Sequence, residues 1–182
     1  LKPISLIINY ISSQKKDISL HQIKIFDEVI ERKCIKNNKF YSIGRTKEFL
    51  NWRYIQSPQD YQCFKIMYKG SLIGYCVIRI EEKFGLKFAW IMDLFIHDEF
   101  DNFFQNVLNE ISLKYFFKSD FITSLLPNKY YKKYYVRAVF FQIPQFLFPH
   151  KFYFCATKIQ SNQKNICKLE NWYMTWSLND VI

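Results

Sequence analysis

Glycine is nearly missing from this chain, with only Gly44, Gly70, Gly74 and Gly85 among 182 residues. No glycine-rich loop that lets backbone N–H groups cradle phosphates can be written with that spacing. That excludes a P-loop nucleotide hydrolase and a standard dinucleotide fingerprint. Cys-x-x-Cys pairs are also lacking. Cys34, Cys63, Cys76, Cys155 and Cys167 are odd in number and widely spaced, and three fall in apolar, strand-like runs. Buried thiols in a reducing, cytoplasmic setting fit them better than a disulfide framework. His21, His97 and His150 are too scattered for metal-ligand spacing, so no metal is expected. No apolar run approaches the ~20 residues of a membrane span, no signal peptide opens the chain, and no membrane partner is expected.

What is abundant is aromatic and basic. Phe (19), Tyr (13) and Trp (4) supply 20% of the residues, and the formal net charge is +10. Cations neutralise phosphates and rings stack on bases, which raises nucleic acid as a partner. Against it, only five of the 26 basic residues are Arg, the residue suited to bidentate contacts. The lysines are spread along the chain with doublets only at Lys15-Lys16 and Lys132-Lys133, so nucleic acid is disfavoured. A hydrophobic share of 49% is enough for one globular core.

Residues 1–16 read as a linker or the tail of a preceding segment, and 17–182 as one domain. Ser19 with Gln22 makes a capping-box pattern, and Ile23, Phe26, Val29 and Ile30 follow at helical spacing. Thr46 is the expected N-cap of a second helix that buries Phe49, Leu50 and Trp52. Tyr61 to Tyr68, Leu72 to Ile80 and Leu86 to Ile96 are β-rich runs, the first two joined by the turn Lys69-Gly70-Ser71. Asp98 is the expected cap of a helix with a stripe at Phe100, Phe103, Phe104, Val107, Leu108, Ile111 and Tyr115. A strand from Phe121 to Leu126, a helix from Asn128 to about Ala138, and strands at Phe152 to Ile159 and Trp172 to Trp176 complete the order. It predicts an α+β domain: a mixed, mostly antiparallel sheet of about six strands with helices on both faces.

Three segments then resemble the GNAT superfamily of acyl-CoA-dependent N-acyltransferases: Lys69-Gly70-Ser71-Leu72-Ile73-Gly74-Tyr75, Asp93 to Phe100, and Asn128 to Phe140 with Tyr135. A narrower likeness, to the C-terminal GNAT-like half of tandem proteins from bacterial polysaccharide gene clusters, rests on three further stretches. These are Phe26-Asp27-Glu28-Val29, Arg45 with Phe49 to Tyr54, and Asn171 to Thr175 with Asp180. The start at Leu1 suits a cut between two such halves, so a preceding GNAT domain is a possible partner. The resemblance implies transfer of an acyl group from acetyl-CoA or another acyl-CoA to a small-molecule amine or amino sugar. It implies a cofactor strand at Phe95, Ile96 and His97, a helix opened by Asn128, and Tyr135 as the acid that protonates the leaving thiolate.

Asp93 reads as the general base, an acid in an apolar strand, or equally as a buried ion pair with Arg53 or Arg45. His97 is a further base candidate that could instead simply close its strand. Tyr135 could likewise be one packed ring among Tyr130, Tyr131 and Tyr134. Trp52, Arg53, Tyr54, Trp172 and Tyr173 could line a sugar site, flat rings under the sugar face and Arg on its hydroxyls, or could be core. The chain departs from the family where glycines would admit the CoA pyrophosphate. It reads Asp101-Asn102-Phe103-Phe104-Gln105-Asn106, with Asp98 and Glu99 just before. A carboxylate ~6 Å from a phosphate charge costs about 2–3 kcal/mol at an effective dielectric near 20. Asn102, Phe104 and Asn106 are expected to fill the remaining space. The alternative function is therefore a non-catalytic GNAT-fold domain that binds an acceptor or a partner domain.

Overall fold

A computed structural model describes residues 17–34, 39–144 and 165–176. Strand β1 (Ile18–Ile23) opens the described chain. The capping-box expectation fails there, because the period is two: Ile18 is buried and Leu20 packs on the core, while Ser19 and His21 face out with Ser19 Oγ on His21 Nε2. Helix α1 starts later, at Glu28–Cys34, where Asp27 Oδ1 accepts from the N–H groups of Val29 and Ile30. Of its expected stripe, Phe26 and Ile30 are buried and Val29 is exposed.

Thr46 caps helix α2 (Lys47–Leu50) as expected, its Oγ1 accepting from Phe49 N–H at 3.2 Å. The helix widens into a π turn over Asn51–Ile55, closed by Gln56 N–H on the Asn51 carbonyl. Leu50 and Tyr54 share a face at i, i+4, and Trp52, two residues past Leu50, lies on the opposite side. Leu50 and Tyr54 are buried, but Trp52, expected inside, is 63% exposed.

Strands β2 (Tyr61–Tyr68), β3 (Ser71–Lys83) and β4 (Leu86–Ile96) form the expected antiparallel meander. Lys69 and Gly70 both have positive φ, the twist a two-residue hairpin needs, and Tyr68 stands opposite Ser71. A 3-10 turn at Asp98–Phe103 leads into helix α3 (Phe104–Tyr115). Asp98 is not its cap: His97 precedes the 3-10 turn and Phe103 the helix, and neither contributes a side-chain bond. The stripe is otherwise as expected, with Phe104, Val107, Leu108, Ile111 and Tyr115 fully buried, each contributing about 1.5–3 kcal/mol.

Strand β5 (Phe121–Ser124) pairs parallel to β4 and completes the order β1-β2-β3-β4-β5. Asn128 then caps a 3-10 turn (Lys129–Tyr131) that runs into helix α4 (Lys132–Arg137). The expected strand at Trp172 to Trp176 does not form: a 3-10 turn (Leu169–Asn171) precedes one isolated bridge between Trp172 and Tyr41. The strand expected at Phe152 to Ile159 lies outside the described residues. Five strands rather than six are therefore described, mixed and mostly antiparallel, in an α+β arrangement.

The sheet carries a core on each face. One packs β-sheet residues such as Ile66, Cys76 and Leu94 against α3 and α4; the other packs Cys63, Tyr75, Val77 and Phe95 against Phe26, Leu50 and Tyr54. Cys63 and Cys76 are buried thiols, and burial pushes Cys63 up to about 12. Asn109 on α3 is buried, and among the described residues neither end of its amide is hydrogen-bonded. Asn109→Leu is expected to stabilise the fold by about 1–3 kcal/mol, measured by urea unfolding, since it removes an unsatisfied polar group at similar volume. An unchanged or lower midpoint would refute that.

Candidate functional site at the β4–β5 fork

The β4–β5 ladder runs from Phe88 opposite Phe121 to Ile91 opposite Ser124, and there it stops. β4 continues to Ile96, so the two strands part and leave a fork. A register shift at Met92 places Asp93 opposite Val77, on the face of Tyr75 and Phe95, instead of the opposite face that strict alternation would give it.

Asp93 is fully buried at 0% exposure. Of the two ion-pair partners considered, Arg45 is the one: Arg45 Nη2 lies 3.3 Å from Asp93 Oδ1. Tyr75 O–H donates to Asp93 Oδ2 at 2.7 Å, and Tyr54 O–H lies 3.5 Å from the same oxygen. The guanidinium sits over the rings of Phe95 and Tyr173 at 5.7 and 5.4 Å. Asp93 raises the Arg45 pKa against the opposing effect of burial, so the cation persists.

Tyr135 reaches the fork from α4. Its hydroxyl lies 2.8 Å from Ser124 Oγ, at the last paired residue of β5, and 3.5 Å from the Leu125 carbonyl. Burial raises its pKa, with the Ser124 hydrogen bond opposing, so the phenol stays protonated at neutral pH. Tyr173 enters the fork from the other side. It is buried, its hydroxyl donates to the Leu94 carbonyl on β4, and Met174 N–H bonds the Pro127 carbonyl at 2.8 Å. Burial raises the Tyr173 pKa as well.

The remaining predicted positions separate. Phe95 and Ile96 are core, and His97 N–H bonds the Ile73 carbonyl while its Nδ1 lies 3.6 Å from Glu99. Asn128 accepts from Tyr130 N–H and donates to the carbonyls of Glu170 and Trp172, so it fastens the returning chain to the turn before α4. Trp172 packs on Tyr41 and donates from its indole to the Ile166 carbonyl. Tyr54 belongs to the Asp93 cluster, and Arg53 is half-buried on the π turn. Trp52 stands apart in an open groove of about 790 Å³ between α1 and the α2 turn, lined also by Asp27, Glu28, Lys47, Glu48 and Gln56.

At the helix start, Asp101 is buried, its carboxylate held by Lys39 Nζ and by Tyr131 O–H at 3.2 Å. Phe104 does not fill phosphate space as expected. It turns inward and packs on Tyr131, Tyr134 and Tyr135 at ring distances of 4.5–5.8 Å, filling the space between α3 and α4. The sequence named neither Tyr173 as a fork residue nor Tyr75 as a partner of Asp93. Tyr75 belongs to a run whose apolar character predicts only burial, and Tyr173 reads as a sugar-site or core ring with nothing local to place it at the fork.

The meander, the parallel last pair and the fork together make a GNAT-like fold. Two solved structures share it: an aminoglycoside acetyltransferase, meta-AAC0020 from an uncultured soil metagenomic sample, in complex with trehalose and in complex with sisomicin. Each superposes at a TM-score of 0.50 with 12% identity, covering 77% of this chain and 97% of that chain. At that identity the likeness establishes the fold. No family model matches the chain, and no curated protein matches it. Among the described residues no group of His, Cys, Asp or Glu could hold a metal ion, and no helix is long and apolar enough to cross a membrane.

Proposed function

We propose that this chain is a non-catalytic GNAT-fold domain that binds an acceptor or a partner domain. The observation that carries the reading is Tyr173, whose side chain occupies the fork and whose hydroxyl takes the Leu94 carbonyl. The resemblance implies acyl-CoA lying along the cofactor strand and over the helix start, and the residues there do not fit it. The Leu94 acceptor is already used, Phe104 and the α4 tyrosines fill the space between the helices, and the helix start holds Asp98 and Glu99 besides Asp101, which Lys39 balances. Those acids complement the helix dipole and oppose a pyrophosphate. The acceptor we assign, a small-molecule amine or amino sugar, rests on the exposed Trp52 face in the open groove, whose rim pairs Glu28 with Lys47 and Arg32.

A second reading, an N-acyltransferase with a degenerate pyrophosphate loop, is favoured by one observation: the protonated Tyr135 hydroxyl stands on Ser124 where the strands part. Calorimetric titration of acetyl-CoA separates the two. No heat and no thermal shift at millimolar ligand are expected, because a ligand that binds the native state must raise its stability. Binding tighter than about 100 μM would overturn the first reading and leave the second.

A further inference from the structure

The positive charge of this chain is concentrated by a shortage of acids. Residues 121–169 carry eight Lys or Arg and no Asp or Glu. Within the described part of that stretch, the turn before α4 and α4 itself set Lys129, Lys132, Lys133, Val136 and Arg137 at i, i+3, i+4, i+7 and i+8, and all five are exposed. The opposite side of the same segment, Tyr131, Tyr134 and Tyr135, is buried against Phe104. One face therefore anchors the segment and the other presents four cations. Lys133 lies over the rings of Tyr130 and Tyr134 at 5.0 and 4.8 Å, and among the described residues the ion pairs of the chain lie elsewhere.

The segment exposes apolar side chains toward and just past the end of α4. Val136 is 60% exposed, and Phe141, four residues past Arg137, is 85% exposed, with Ile143 beside it in sequence. Cations flanking exposed aliphatic and aromatic side chains suit an interface whose outer layer is anionic and whose inner layer is hydrocarbon. We propose that the outer face of α4 is a docking surface for an anionic lipid bilayer, with the lysines on headgroups and Val136 and Phe141 dipping among them. The charge is complementary, and the face is the convex side of a helix, which a fluid surface accepts without a shaped partner. Three of its four cations are Lys, hydrated point charges suited to headgroups and poor at the bidentate base contacts that nucleic acid rewards. The sequence excludes a spanning segment, and surface docking needs none. The inference stands on this face alone and is independent of what the fork binds.

Co-sedimentation of the whole chain with vesicles tests it, using phosphatidylcholine alone against an equal mixture with phosphatidylglycerol. The mixed vesicles are expected to bind the chain, more weakly as salt rises, and the neutral ones to leave it in solution. At about fivefold per cation, the triple variant Lys129→Gln, Lys132→Gln, Lys133→Gln should bind on the order of 100-fold more weakly. All three side chains are exposed, and an unchanged melting temperature confirms that the fold is kept. Phe141→Ser should weaken vesicle binding several-fold while leaving retention on poly-glutamate unchanged, which a purely ionic contact would not do. Equal binding to both vesicle types, indifference to the triple variant, or tighter binding to single-stranded DNA or poly-glutamate than to mixed vesicles would each overturn the proposal.

Discussion

Replacing Arg45 with alanine is expected to destabilise the domain by about 3–5 kcal/mol, because it leaves Asp93 charged, buried and without its cation. The carboxylate has no route to water at 0% exposure, and the Tyr75 hydroxyl can donate to only one of its oxygens. Arg45 also packs its guanidinium on Phe95 and Tyr173, so its loss opens the wall between the Asp93 cluster and the fork. Chemical denaturation with fitted midpoint and slope measures the effect. The double replacement Arg45→Met with Asp93→Leu is the discriminating control. It removes both charges together and should recover much of the loss, since a buried ion pair replaced by apolar groups of similar size is often neutral. A single Arg45→Ala costing under about 1 kcal/mol would show that the carboxylate is not held as a buried ion.

Gly74→Ala is expected to be at least as damaging through sterics alone. A Cβ built at Gly74 would stand 2.0 Å from the Phe95 carbonyl oxygen and 3.0 Å from the Ile96 Cα, both backbone atoms that no side-chain rotation can move. β3 and β4 would have to separate beside the fork, where Gly74 stands opposite Ile96 and His97 N–H bonds the Ile73 carbonyl. The cost should reach about 3 kcal/mol or more, the upper end for overpacking. In a domain of this size that is a fall in Tm of roughly 6–12 °C. Gly44→Ala, with nothing near its Cβ, is the matched control and should leave Tm within a degree or two. Equal melting points for the two variants would refute the close approach at Gly74.

Much of the architecture was legible. The meander, its Lys69-Gly70 turn, the Thr46 cap, the α3 stripe and the Asn128 cap each rest on spacing between neighbours in sequence. In β1, Ser19 and Gln22 satisfy a helix-start pattern while Ile18 and Leu20 satisfy a strand, and packing on the α3 side of the sheet decides between them. Local spacing groups Trp52 with Phe49 at i, i+3, but the buried face is set by Leu50 and Tyr54 at i, i+4, and Trp52 falls on the opposite side.

The amino-acid sequence by itself determined the class of fold, the absence of a glycine loop at the helix start, and the choice of two arginines as partners for Asp93. Only the tertiary structure decided which of them it is. The bulge at Met92 turns Asp93 toward Tyr75, and Arg45 arrives there from a loop 48 residues away in sequence. The fork was decided the same way. Phe104 and Tyr173 are far apart in sequence, and only tertiary packing brings both onto Tyr131, between α3, α4 and β4. Burial of an aromatic ring is written in local pattern; what the ring displaces depends on which distant segments pack beside it.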